Sequence, residues 1–170
     1  MASIIVGIGD CAVSNDPDAV LVTYALGSCI AVTVFDPVLK IGGLLHYMLP
    51  DSSLDQEKAR KRPFVFADTG IPLLFQQVCQ MGASRSRLEV AVLGGAQVME
   101  NYGSFHIGRK NHLAVREIFA REGIAVRWED VGGTQSRTVR LELASGKIGL
   151  RRGVTEEVLE PSGRGRGAGV

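Results

Sequence analysis

Apolar residues in this chain arrive mostly in short, β-branched runs separated by turn residues, and only two segments switch to a helical spacing. Residues 3–8 (Ser-Ile-Ile-Val-Gly-Ile) predict a first strand, followed by Gly9-Asp10-Cys11 and a turn at Asn15-Asp16-Pro17-Asp18. Residues 19–24 predict a second strand that leads into Gly27-Ser28-Cys29. Residues 30–35 predict a third, ended by Asp36-Pro37, and residues 40–48 its hairpin partner. Residues 50–63 are polar, with a basic cluster at Lys58, Arg60, Lys61 and Arg62, and predict a surface loop. Two roles are open to that loop, a mobile flap or a solvated connection.

The spacing changes after Phe66. Leu73, Leu74, Gln77, Val78 and Met81 form a helical stripe, with Asp68 or Thr69 as its cap and Gly82 as its stop. Residues 88–93 return to a buried strand, and Gly94-Gly95-Ala96 marks a close turn, either ordinary turn chemistry or one wall of a cleft. Residues 108–122 predict a second helix, with Leu113, Ile118 and Phe119 inward and Gly123 at its end. Residues 124–129 predict a strand. Residues 138–143 alternate apolar and polar positions as a half-exposed strand does, and Ser145-Gly146 turns the chain into a last strand over 147–152. About eight strands and two long helices, with the strands clustered rather than alternating with helices, define an α+β class. Residues 1–160 are expected to form one domain, and the Gly/Arg-rich residues 161–170 a disordered tail.

Composition narrows the function. A net charge of +1, with no basic stripe interleaved with aromatics, excludes a polyanion-driven role such as nucleic-acid binding. The three cysteines, Cys11, Cys29 and Cys79, are odd in number and form no C-x-x-C, which fits a reducing compartment better than a disulfide framework. No apolar run approaches the roughly 20 residues of a membrane span, and Met-Ala-Ser-Ile-Ile-Val-Gly lacks the features of a signal peptide, so a cytoplasmic protein without membrane insertion is expected. No G-x-G-x-x-G or Walker pattern follows a strand. His106 and His112 stand six apart, off the spacing that places two ligands on one helical face, so neither a metal nor another cofactor is expected.

One stretch carries candidate chemistry. Thr23-Tyr-Ala-Leu-Gly-Ser-Cys29 runs into a strand, and His46 follows in the next strand, seventeen residues on. In a hairpin, Cys29 lies at the start of one strand and His46 near the end of its partner, so the two ends meet. A thiol beside an imidazole is the minimal equipment of a cysteine nucleophile, and an adjacent imidazolium lowers the thiol's pKa. Gly27 and Ser28 make the tight turn that aims the sulfur and lets backbone N–H groups hold an oxyanion. Thr23 is the candidate to orient the imidazole, through its hydroxyl or its carbonyl. At this level an inert buried thiol and a hydrogen-bonded core histidine remain the competing reading.

These residues resemble the chemoreceptor glutamine deamidase family of bacterial chemotaxis, CheD. The resemblance rests on Thr23-x5-Cys29 with Leu-Gly-Ser-Cys, on His46 followed by Met48-Leu-Pro50-Asp51, and on Ala67-Asp68-Thr69, Gly94-Gly95-Ala96, Ile107-Gly108-Arg109-Lys-Asn111, Glu129-Asp130-Val-Gly132-Gly133 with Arg137, and Ser145-Gly146-Lys147. It covers about residues 3–152; Phe66 departs from the Tyr expected there. It implies layered β-sheets flanked by helices, similar to the catalytic domain of cytotoxic necrotizing factor toxins. It also implies Cys29 as nucleophile, His46 as base and Thr23 as its orienting partner. The implied activity is conversion of glutamines in the cytoplasmic domains of methyl-accepting chemoreceptors to glutamate, by a monomer, with a CheC-type phosphatase as a second partner. The rival readings are a non-catalytic interaction module and a papain-like protease. Ammonia release without chain cleavage separates the deamidase from both.

Overall fold

Two five-stranded sheets stack face to face, and the two longer helices cover the outer side of one of them, in this computed structural model, which describes residues 2–97 and 106–161. The chain runs β1 (Ala2–Ile5), β2 (Asp10–Ser14), β3 (Ala19–Leu26), β4 (Ile30–Asp36), β5 (Ile41–Tyr47), α1 (Gln56–Lys61), α2 (Ala67–Gln80), β6 (Glu89–Gly94), α3 (Ile107–Glu122), β7 (Trp128–Val131), β8 (Arg137–Glu142), β9 (Ile148–Arg152) and β10 (Thr155–Leu159). The first sheet has the order β1-β3-β8-β9-β10 and the second β2-β5-β4-β6-β7. Both are mixed: β1–β3 and β6–β7 pair parallel and all other neighbours pair antiparallel. The class is α+β.

The middle layer explains the continuous apolar runs. Every residue of β4 and β5 is buried. Because side chains alternate across a strand, Ile30, Val32 and Val34 pack under α2 and α3, whereas Ala31 and Phe35 enter the core between the sheets with Leu21, Leu44, Leu93, Val139, Leu141 and Leu150. β8 is covered on one face only and keeps the alternation that the sequence shows. On α2 the covering face is Ile71, Leu74, Phe75 and Val78, each fully buried side chain contributing about 1.5–3 kcal/mol.

Several elements differ from the sequence reading. β2 was not expected; it is a short edge strand whose Cys11, Ala12 and Val13 are only partly buried where it pairs with β5. β10 is exposed at four of its five residues and carries no hydrophobic signal. Residues 50–63 are not a bare loop. They hold a 3-10 turn and α1, whose N-cap Asp55 accepts a hydrogen bond from the Lys58 amide at 3.0 Å and whose last turn carries Lys58, Arg60 and Lys61 against the helix dipole. Arg62 then ties this segment to the Ile8 carbonyl at 3.1 Å.

Neither Asp68 nor Thr69 caps α2. Asp68 accepts from the Ser52 amide and hydroxyl at 2.9 and 2.5 Å, Thr69 donates to the Pro63 carbonyl, and Phe66 is the N-cap residue without a side-chain bond. Met81 and Leu113, expected inward, are 41% and 44% exposed. β7 begins at Trp128, later than the expected 124. The tail expected over 161–170 lies, from residue 162 on, outside the described residues.

Two glycines set how closely α3 and β6 approach the start of β4. Gly94 has φ of +116°, and a Cβ there would strike the carbonyl oxygen of Cys29. A Cβ on Gly108 would lie 2.5 Å from the Gly95 oxygen and 2.6 Å from that of Ala96, both backbone atoms that no rotamer change can move aside. Gly108→Ala is therefore expected to destabilise the fold by about 2–4 kcal/mol despite Ala's better helix propensity. Urea unfolding checks this; a variant as stable as the parent would show that the helix start is not in close contact.

Candidate active site

β3 loses its register with β8 after Thr23↔Val139 and recovers it at Leu26↔Arg137. In between, Tyr24 and Ala25 are exposed, and Ala25 adopts a left-handed φ of 54°. This bulge returns Leu26 to the core and sends Gly27-Ser28-Cys29 across from the first sheet to the second. The turn is held by its carbonyls. Gly27 O accepts from the Ala96 amide at 2.8 Å, Cys29 O from the Gly95 amide at 2.8 Å, and Ser28 O from Asn111 Nδ2 at 2.9 Å. The Gly94-Gly95-Ala96 segment thus backs the turn.

His46 stands in β5 between Asp10 of β2 and Ala31 of β4. It is fully buried and shares the strand face of Leu44, which packs between the sheets. Its Nδ1 lies 2.7 Å from Thr23 Oγ1 in the opposite sheet. The Thr23 hydroxyl also donates to the Val6 carbonyl at 2.7 Å. A hydroxyl has one proton, and a carbonyl can only accept. With that proton on Val6, the Thr23 oxygen accepts from Nδ1–H. This assigns the tautomer with Nδ1 protonated and a lone pair on Nε2. Nε2 is buried and makes no hydrogen bond among the described residues, with Cys29 or any other group.

Cys29 precedes β4, whose first pair is Ile30↔Tyr47, and it packs against the core between the sheets. Cys29 and His46 therefore occupy the same end of adjacent strands and border the same layer. Gly27, Ser28 and Cys29 are all half-buried. Burial raises the Cys29 thiol pKa, with its own backbone N–H pulling the other way, and burial lowers the His46 pKa to about 4. This corrects the expectation of an imidazolium that depresses the thiol: near neutral pH both groups rest uncharged, because burial disfavours the charged form of each. Tyr47, on the other face of β5, is also held well above its ordinary value by burial and then by the neighbouring Cys29 charge.

The remaining candidates lie elsewhere. Cys11 on β2 is pushed up to about 12 by burial and by Asp10, and Cys79 packs on α2. His106 contacts Gln97, and His112 pairs with Glu129. Among the described residues no group of three or more His, Cys, Asp or Glu side chains is placed to hold a metal ion, and no helix is long and apolar enough to cross a membrane. Sequence reasoning gave no role to Asn111, a fully buried polar residue in the apolar row of α3 with Val115 and Ile118. Its signal was an amide at i in an i, i+4, i+7 pattern. The Val6 carbonyl, a backbone group, leaves no trace in residue types.

Comparison with known proteins assigns the family. The family model described as CheD chemotactic sensory transduction matches residues 48–152. A protein of Solibacter usitatus named "Probable chemoreceptor glutamine deamidase CheD" is 51% identical over 162 residues, covering 95% of this chain and 96% of its own. One of Syntrophus aciditrophicus, "Probable chemoreceptor glutamine deamidase CheD 1", is 51% identical over 87% and 92% of the two chains. One of Pyrococcus horikoshii, named as the first, is 40% identical over 94% and 98%. The chain belongs to the CheD family.

The buried imidazole has a pH signature. Above pH 6.5 His46 is neutral in both folded and unfolded chains; below it the unfolded chain takes up a proton that the folded chain refuses until about pH 4. Stability is thus expected to fall as pH drops from 6.5 to 4, by on the order of 3 kcal/mol from this residue. The buried Asp36, whose hydrogen bonds from Arg87, Ser84, Leu39 and Val38 outweigh burial and hold it below the usual carboxylate range, contributes its loss only at lower pH. Urea unfolding across this range should show the decline in the parent and a flatter profile in His46→Gln; equal slopes would refute the assignment.

Proposed function

We propose that this protein is a protein-glutamine deamidase that converts glutamines of methyl-accepting chemoreceptors to glutamate with release of ammonia. The observation that carries the reading is a buried histidine with its Nδ1 proton fixed on Thr23 and a free Nε2 lone pair, bordering the same layer as a half-buried cysteine, in a chain 40–51% identical over nearly its whole length to proteins named for this activity.

The mechanism starts from the neutral pair. As Cys29 Sγ attacks the carbonyl carbon of the substrate amide, its proton passes to His46 Nε2. Burial disfavours a standing ion pair, so proton transfer accompanies bond formation instead of preceding it. The carbonyl oxygen becomes an oxyanion held by N–H groups of the Gly27-Ser28-Cys29 turn, the Cys29 amide among them. The imidazolium gives its proton to the amide nitrogen, ammonia leaves and a thioester remains. His46 then deprotonates a water that attacks the thioester, and its proton returns to the sulfur. One water is consumed, and one amide becomes one carboxylic acid and one ammonia. Thr23 stays outside the proton transfer and holds the working tautomer.

The same reading includes a monomeric enzyme in the cytoplasm, without cofactor, acting on the cytoplasmic domains of the receptors. It also includes a CheC-type phosphatase as a second partner at the same surface, and a likeness to the catalytic domain of cytotoxic necrotizing factor toxins. Mass spectrometry of a co-expressed receptor is expected to show a gain of about 1 Da at each converted glutamine, and Cys29→Ala is expected to abolish it. Conversion by the alanine variant at the parent's rate would overturn the mechanism. Thr23→Val keeps the volume and removes the hydroxyl; it is expected to lower kcat by about ten- to hundredfold with little change in KM. Parent-like kinetics would restrict Thr23 to a packing role.

A further inference from the structure

We propose that Asn111 is a positioning residue that sets the spacing between Cys29 and His46; this rests on the reading of that pair as catalytic. β4 and β5 pair regularly as far as Ile30↔Tyr47, where the ladder stops. Beyond it the two chains diverge. One leads back into Cys29-Ser28-Gly27. The other leaves as Met48-Leu49, whose amides both donate to the Val65 carbonyl, at 2.8 and 2.9 Å.

One side chain spans this fork. Asn111 Nδ2 donates to Ser28 O at 2.9 Å and to Met48 O at 3.0 Å. Its two hydrogens act as a rung where the backbone ladder has none. One anchor is the residue before Cys29; the other lies two residues past His46. The Asn111 backbone is fixed as well, since Tyr47 Oη donates to its carbonyl at 2.5 Å. Gly108, one turn earlier on α3, allows the close approach that brings the amide into reach.

Asn111 Oδ1 is buried and has no hydrogen-bond partner among the described residues. An unmade bond of that kind is a penalty that an apolar residue at this core position would avoid. The donor end therefore accounts for the residue, and its work is to fix two carbonyls. Those carbonyls flank the sulfur and the imidazole, so the clamp fixes how near Cys29 comes to Nε2. Misplacement of a reacting group by about 1 Å costs on the order of a hundredfold in rate.

The test uses the full chain with Cys11→Ser and Cys79→Ser, leaving Cys29 as its sole thiol. Asn111→Ala removes the clamp, and Asn111→Asp keeps its shape while losing the donors. Both are expected to lower kcat on a receptor fragment by about ten- to hundredfold while KM moves by less than about threefold. Alkylation of Cys29 by iodoacetamide is expected to slow in each, and adding His46→Ala to Asn111→Ala should slow it no further. A purely structural role would lower Tm yet leave kcat and labelling of the folded protein at parental values, and that result overturns the proposal.

The parent protein gives a reading that needs no variant at Asn111. Slow exchange of the Asn111 side-chain amide protons by NMR, with cross-peaks to Ser28 and Met48, supports the clamp; fast exchange refutes it. If the parent releases no ammonia from any receptor, the deamidase reading fails, while the labelling contrast still decides the role of Asn111.

Discussion

A hydrogen bond between two sheets organises this molecule. Thr23 belongs to one sheet and His46 to the other, and their 2.7 Å contact crosses a layer otherwise filled by apolar side chains. In such surroundings a polar contact is strong when complete and costly when broken. It is complete on the Thr23 side, because the hydroxyl passes its single proton to Val6 and has only its oxygen left to offer. The direction of the chain Nδ1–H to Thr23 to Val6 follows from counting protons. The free lone pair on Nε2 is the chemical result.

Burial has a second effect. A surface cysteine–histidine pair would rest as ions, and the thiolate would react with any passing electrophile. Here burial takes solvent from His46 fully and from Cys29 in part, and it disfavours the charged form of each.

Much of this was legible in the residues. The hairpin of β4 and β5 follows from two apolar runs around Asp36-Pro37, and its antiparallel sense brought Cys29 and His46 to one end. The stops of the long helices at Gly82 and Gly123 were equally plain. The parts that escaped have physical reasons. β10 is an exposed edge whose Glu156 and Glu157 face water, and β2 is a short, partly buried edge strand paired with β5. The inward face of α2 was misjudged because Met81 and Leu73 suit a helical stripe as well as Ile71 and Phe75 do, and only the position of the sheet chooses between them. The charge state of the pair was misjudged because solvation depends on neighbours distant in sequence. The Asn111 rung was missed because it ends on backbone carbonyls, which every residue possesses.

The bulge at Tyr24–Ala25 carries a consequence for how this chain can change over time. Surface connections ordinarily tolerate added or lost residues at little cost. The segment from Thr23 to Cys29 has no such freedom, since its first residue is paired in one sheet and its last is hydrogen-bonded to Gly95, which follows β6 of the other. Losing one residue there would straighten the bulge into a regular ladder as far as Leu26↔Arg137 and remove the left-handed turn at Ala25 from which the chain crosses to the second sheet. Side chains in this segment can be exchanged, as the exposure of Tyr24 and Ala25 allows, but its length cannot drift. The count of residues between threonine and cysteine is itself a structural dimension of the protein, set by the two sheets that the segment joins.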